Sequence, residues 1–247
     1  MTMKWSAIVL AGSRPGGDPL AATFGTDLKA LIPVAGEPMV RRPVAALIES
    51  DEVESVLVLA QQVDRIRAAL PNDWPVTVER SADTIAETLL RICRDPATKW
   101  PLLVTTADHA LLTPGMIHEF CWRSARSDLA IGVVSKGRLL NRLPETQRTW
   151  IPFKGGAFTG ANLFVLRSDK VVAALEAWRS VEQDRKKAWK LIRSMGLKLF
   201  VRMLFRRLTI DQTLHRISVR LGVSIRAIRL SDALAAVDVD KPRDHEL

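Results

Sequence analysis

The sequence has only two cysteines, Cys93 and Cys121, which stand far apart and fit neither a zinc-ligand spacing nor a disulfide framework. They predict buried reduced thiols in a cytoplasmic protein, with one disulfide as the other reading. The histidines His109, His118, His215 and His245 share no metal-ligand spacing, and no Ser/His/Asp or Cys/His arrangement can be built. They are expected on the surface or in packing. No run approaches the ~20 apolar residues that cross a bilayer, and the short apolar run from Trp5 to Ala11 lacks a small-residue cleavage pattern behind it. It reads as a first strand. The glycine-rich loop that follows has no Gly-Lys-Ser or Gly-Lys-Thr and no Gly-x-Gly-x-x-Gly, so neither the Walker nor the dinucleotide pattern is present.

Acid is missing from one stretch. Arg185, Lys186, Lys187, Lys190, Arg193, Lys198, Arg202, Arg206 and Arg207 stand together with no acidic residue among them. Without them the basic residues equal the 27 acidic ones, so the formal net charge of +9 belongs to this segment. Its charge is a local device, and a nucleic-acid coat over the whole surface is not implied.

What is present begins at Ile8 to Met39, IVLAGSRPGGDPLAATFGTDLKALIPVAGEPM. An apolar strand runs into a glycine-rich loop, and such a loop offers unpaired backbone N–H groups to an anion. Gly12, Gly16 and Gly17 would let the backbone approach phosphate oxygens, and Lys29 would add a mobile positive charge. A plain surface loop fits the glycines equally well.

At 47% hydrophobic the chain can bury a substantial core. Strand patterns fall near 7–11, 53–59, 76–79, 102–106, 130–134 and 162–166, and helical patterns near 42–49, 63–70, 84–94 and 114–127. This alternation predicts an α/β fold, a mostly parallel sheet flanked by helices, with ligands beyond the carboxyl ends of strands. After about Lys170 the pattern is largely helical, and strand-like runs return at 225–230 and 236–239. The chain is expected to be one domain, 1–247, with a helical basic insertion at 185–229.

Leu10-Ala11-Gly12, then Lys29, Pro33-Val34 and Gly36-Glu37-Pro38-Met39, resemble the signature of the nucleotidyltransferase superfamily. Similar openings occur in molybdenum cofactor guanylyltransferases, methylerythritol phosphate cytidylyltransferases and sugar-1-phosphate nucleotidyltransferases. The resemblance implies a Rossmann-like nucleotide-diphospho-sugar transferase fold. It also implies an enzyme that moves a nucleoside monophosphate from an NTP onto a phosphorylated sugar or alcohol, releasing pyrophosphate. It places the nucleotide against Leu10, Ala11, Gly12, Ser13, Arg14, Gly16, Gly17 and Lys29. The loop departs from the family pattern: where relatives carry a second glycine and a later arginine, Ser13 and Arg14 follow at once and a Pro-Gly-Gly-Asp-Pro insert comes next.

Nucleotidyl transfer needs charge control more than covalent chemistry, because an acceptor oxygen can displace pyrophosphate directly at the α-phosphorus. A magnesium ion held by one or two carboxylates, with cations around it, supplies that control. Asp108 follows the apolar strand Leu102 to Thr106 at the edge where ligands bind, and the resemblance makes it a metal aspartate. Capping the turn before Thr113-Pro114 is its bland alternative. His109 is worth mutating for its place beside Asp108. Asp238-Val-Asp240-Lys-Pro-Arg-Asp244 resembles the family's terminal Asp-x-Asp segment, with Asp238 favoured for the metal and Asp240 as a cap of the final helix.

Arg80, Ser81 and Thr84 fall in Val78 to Ile85, which resembles the base- and ribose-holding stretch of the methylerythritol-type cytidylyltransferases and favours CTP. A capping box, Thr84-x-x-Glu87, accounts for the same helix start. Gly155 to Asn162 resembles the acceptor-contacting strand entry of the sugar enzymes, which would use Thr159, Gly160 and Asn162. A turn before the strand explains it too.

Two features allow other readings. From Trp189 to Leu208 apolar residues recur at helical spacing between cations, which is an amphipathic basic helix. Packed on the domain it is ordinary. Laid on an anionic membrane it would make the protein peripheral on the inner face, through 185–207. Residues 209–229 can also be read as a helix-turn-helix, which would make the chain a nucleotide-sensing DNA-binding regulator. Ile225, Ala227, Ile228 and Leu230 leave few polar side chains for base edges, so nucleic acid is not the expected partner. A glycosyltransferase using an NDP-sugar is the remaining alternative, although it leaves Lys29 without a role.

Overall fold

The computed structural model describes residues 4–13, 17–183 and 208–246. Strand β1 (Trp5–Leu10) is central, because its apolar residues are buried on both faces, as a parallel strand covered by helices requires. It pairs in parallel with β4 (Val53–Ala60) on one side and β6 (Leu102–Thr106) on the other. Beyond β4 lies β5 (Val76–Arg80), also parallel. Beyond β6 the long strand β9 (Gly156–Leu166) runs antiparallel to β6 and to β7 (Leu129–Ser135). An edge strand, β10 (Ile225–Arg229), pairs in parallel with β7, and β8 (Ile151–Phe153) pairs with β9. The order β10-β7-β9-β6-β1-β4-β5 is thus mostly parallel, as the alternating pattern predicts. A two-stranded hairpin, β2 (Pro33–Val34) with β3 (Glu37–Pro38), stands apart.

Helices α2 (Arg41–Ile48), α3 (Val63–Ala69), α4 (Ile85–Arg94) and α5 (Pro114–Ser124) connect the parallel strands. Two of them start at a capping threonine. Thr84 accepts the Glu87 N–H at 3.2 Å and caps α4; Thr113 accepts the Met116 N–H at 3.3 Å and caps α5 ahead of Pro114. Three further helices are α1 (Pro19–Thr23), α6 (Lys136–Arg142) and α7 (Val172–Gln183). Helix α8 (Ile210–Leu221) opens with a Thr209/Gln212 capping box and ends at Gly222, whose φ of 66° is left-handed. A short helix, α9 (Pro242–His245), follows the terminal acidic segment.

Cys93 and Cys121 are buried unpaired thiols, and burial pushes Cys93 up to about 12. His109 is also buried, which presses its imidazole down to about 4 and keeps it neutral.

Two expectations are corrected here. The helix-turn-helix does not form: after Gly222 the chain enters β10, paired from Ile225↔Leu129 to Arg229↔Val133, so its second half is a strand. Branched apolar Ile225 and Ile228 bury their side chains in the sheet, leaving no recognition helix. Residues 236–239 are not a strand either. Ala233–Ala236 forms a 3-10 turn, and Val239 ties to the loop after β6 through its N–H on the Asp108 carbonyl at 3.1 Å. The basic stretch 185–207, with the proposed membrane contact, lies outside the described residues, and 208–229 comprises α8 and β10. Among the described residues no helix is long and apolar enough to cross a membrane.

Candidate active site

Because β1, β4, β5 and β6 are parallel, the loops after them emerge at one edge of the sheet. They line a cleft of about 870 Å³. Leu10, Ala11, Gly12 and Ser13 form one wall, Ser81 and Thr84 another, and Lys29, Asp108, Asn162, Asp238 and Asp240 the floor. A Cβ at Gly12 would lie 3.2 Å from the Gln61 amide nitrogen, so the glycine lets that side chain pack close against the loop. Gln61 also accepts the Ser13 N–H at 2.8 Å, which pins the start of the loop. Gly17 has a φ of 85° and does not line the cleft; Asp18 beyond it caps α1, accepting the Leu20 N–H at 2.9 Å. Arg14 and Gly16 lie outside the described residues.

Lys29 and Asp108, 79 residues apart in sequence, meet at 2.5 Å. The same ammonium reaches Asp240. Thr106, the last residue of β6, donates its hydroxyl to the other Asp108 oxygen at 2.5 Å, so Lys29 and Thr106 hold this carboxylate from both sides. Burial works against the Lys29 charge, but Asp108 and then Asp240 outweigh it, holding the ammonium above its ordinary value of 10.5.

Asp238 is engaged differently. Arg148 donates to one of its oxygens, and Asn162 donates its side-chain amide to the other at 3.0 Å. Arg148 also donates to Asp244 at 3.0 Å, and Asp244 in turn accepts the N–H groups of Asp240 and Lys241 at 3.2 and 3.0 Å. The final helix is therefore started by Lys241 and Asp244. Asp240 does not cap it, as the sequence suggests, because its carboxylate is turned towards Lys29.

Oxygens of Asp108, Asp238 and Asp240 all lie within 4.8 Å of one another. Three hard oxygen donors at that spacing fit a divalent cation such as magnesium. The Lys29 ammonium, bridging two of them, is a stand-in positive charge in the same place. The wider cluster has four carboxylates, with Asp244 included, against the cations Lys29 and Arg148. Their deficit is the charge of one divalent ion.

Three of the expected contact residues stand away from the cleft. Arg80 is exposed at the end of β5, and its carbonyl accepts from Arg91. Thr159 and Gly160 pair with Val134 and Val133 inside the sheet, with Thr159 buried. Asn162 does reach the cleft, but its amide is spent on Asp238. Gln61 and Arg148 are the residues that sequence reasoning missed. Gln61 directly follows β4, at the ligand-binding edge, which is a usable signal; Arg148 lies in an irregular stretch with none.

The MobA-like NTP transferase domain family matches residues 7–199, most of the chain. No curated protein matches. Among solved structures, a hypothetical transferase from Thermus thermophilus is 29% identical, with a TM-score of 0.83 over 98% of this chain and 100% of that one. A 4-diphosphocytidyl-2C-methyl-D-erythritol synthase from Anaerococcus prevotii shares the fold at 9% identity and a TM-score of 0.63, covering 99% and 94% of the two chains. A CMP:2-keto-3-deoxy-manno-octonic acid synthetase does so at 13% identity and 0.59, covering 98% and 96%. With a cleft built from the strand ends that the signature occupies, the chain belongs to the MobA-like NTP transferase family and is a nucleotidyltransferase.

Proposed function

We propose that the protein transfers CMP from CTP to a phosphorylated sugar or alcohol, releasing pyrophosphate, with magnesium held by Asp108 together with Asp240 or Asp238. The observation that carries this reading is the convergence of Lys29, Asp108 and Asp240, from three distant parts of the chain, on the floor of one cleft. An acceptor phosphate oxygen attacks the α-phosphorus in line, the bond to the bridging oxygen breaks, and its electron pair leaves with pyrophosphate. Magnesium, when bound, offsets the negative charge that otherwise repels nucleophile from triphosphate.

The chain's own residues do the rest. Lys29 carries a long flexible stem and a compact charge, so it can leave the carboxylates for the leaving phosphates. Gly12 and Ser13 bring backbone close to the triphosphate, with Gln61 setting the loop's entry. CTP is favoured by the likeness of Val78 to Ile85 to the cytidylyltransferase stretch, and the Ser81 hydroxyl, buried beside the cleft without a partner, is free to bond a nucleotide there. Of the solved structures sharing the fold, one is named as complexed with CTP.

The test is pyrophosphate release from each NTP, in magnesium, with a panel of phosphorylated sugars and alcohols. Acceptor-dependent release, greatest with CTP, is the expected result. Silence with every pair would overturn the reading.

A further inference from the structure

Arg148 has no place in the chemistry above, yet it is the most deliberately placed cation of the cluster. It comes from an irregular stretch between α6 and β8, and its side chain is only 7% exposed. Burying a guanidinium is unfavourable unless its donors find fixed acceptors. Here one arm of the fork meets the Asp238 carboxylate, and the other meets the Asp238 carbonyl and the Asp244 carboxylate, each at 3.0 Å. The Nε atom is buried without a partner, so the orientation satisfies the two acids rather than every donor of the arginine.

What Arg148 holds is the segment that carries two cation-facing carboxylates. Asp238 is gripped through side chain and backbone together. Asp240 is reached in two steps, because Asp244, fixed by Arg148, accepts the Asp240 backbone N–H. Asn162 completes the grip from the opposite side. Its φ of 46° is left-handed in the middle of β9, next to a register shift against β7. Asparagine tolerates that region better than most side-chain-bearing residues, and the conformation accompanies an amide aimed at the second Asp238 oxygen.

We propose that Arg148 is a positioning residue, with Asn162 as its counterpart, that sets the Asp238 and Asp240 carboxylates at the spacing a divalent cation needs. The proposal rests on the cation site of the proposed function. It is distinguishable from a simple charge effect by sign. Taking away a neighbouring positive charge alone tightens cation binding, whereas releasing the ligands weakens it.

Binding of Mn²⁺ alone, followed by the loss of its free-ion electron paramagnetic resonance signal, separates the cases. The wild type should bind one Mn²⁺ that Asp108→Asn abolishes. Arg148→Met should bind it about 10-fold to 100-fold more weakly, with Arg148→Lys in between. In turnover, the Mg²⁺ concentration for half-maximal rate should rise more than kcat at saturating Mg²⁺ falls. A purely structural arginine would reduce the folded fraction without moving the metal requirement of the folded molecules. Wild-type or tighter affinity in Arg148→Met overturns the positioning role while leaving the cation site intact. A wild type that binds no Asp108-dependent Mn²⁺ removes the cation site itself, and the positioning role with it. Should Arg148→Met fail to fold, Asn162→Gly decides. It changes no charge, suits the left-handed backbone, frees one Asp238 oxygen, should still weaken Mn²⁺ binding, and overturns the proposal if affinity is unchanged.

Discussion

The cluster has two halves with the same ingredients and opposite characters. In one, an amine meets Asp108 and Asp240; in the other, a guanidinium meets Asp238 and Asp244. The first half opens at one end, with the Asp240 side chain 50% exposed against 17% for Lys29 and for Asp108. The second is closed, with Asp244 at 9%. Lysine suits the open half because its single charge sits on a flexible stem and can exchange partners. Arginine suits the closed half because its planar fork holds several acceptors at once. The difference implies a division of labour between a cation that moves with the substrate and one that keeps the ligands in place.

The division is tested most severely by breaking the open half. Asp108→Asn or Lys29→Ala should lower kcat by about 10² to 10³, because each removes charge control at the reacting phosphate. Asp240→Asn, at the exposed end of that half, should leave the melting temperature close to wild type, since such ion pairs stabilise by only about 0–1 kcal/mol. Breaking the closed half should show the reverse emphasis. Arg148→Met leaves the nearly buried Asp244 carboxylate without its partner and should destabilise by about 3 kcal/mol, read from the denaturant midpoint. Equal stability costs in the two halves would erase the contrast.

Titration probes the same difference without mutating the open half. His109 packs beside Asp108 and is held neutral by burial, so the unfolded chain takes up its proton first as pH falls. The associated stability is present above about 6.5 and lost towards about 4, amounting to roughly 3 kcal/mol, and His109→Gln should flatten that slope in denaturant titrations. At the alkaline end the Lys29 value is raised, so its stability contribution is complete below 10.5 and fades as pH climbs through the higher folded value. The loss should be smaller, because the pair is partly solvated, and absent in Lys29→Met.

The open half was legible in the sequence; of the closed half Asp238 was, and the arginine that holds it was not. A carboxylate directly after an apolar strand, and a lysine closing a glycine-bearing loop, are local patterns whose position at the sheet edge follows from strand direction alone. Arg148 contacts Asp238 from 90 residues away, out of a stretch with no period, so only tertiary packing reveals it. Asp238 and Asp240 illustrate the limit within one motif. Alternation placed both on one side of an extended run, and the structure brings both to the cluster, but the expected cap became the lysine partner. Gly160 and Thr159 were misplaced for a similar reason: the antiparallel course of β9 keeps them paired with β7. Residues 222–229 carried a turn and cations that imitate a recognition helix, while the buried branched side chains of Ile225 and Ile228 belong to an edge strand.

Locating a Mn²⁺ ion by anomalous diffraction, in crystals grown with a non-hydrolysable CTP analogue, bears most directly on the convergence of Lys29 and the aspartates. Manganese should sit on Asp108 with Asp240 or Asp238, and the Lys29 ammonium should have moved from the carboxylates to the phosphates. An ammonium still bridging Asp108 and Asp240, with the nucleotide bound elsewhere, would contradict it.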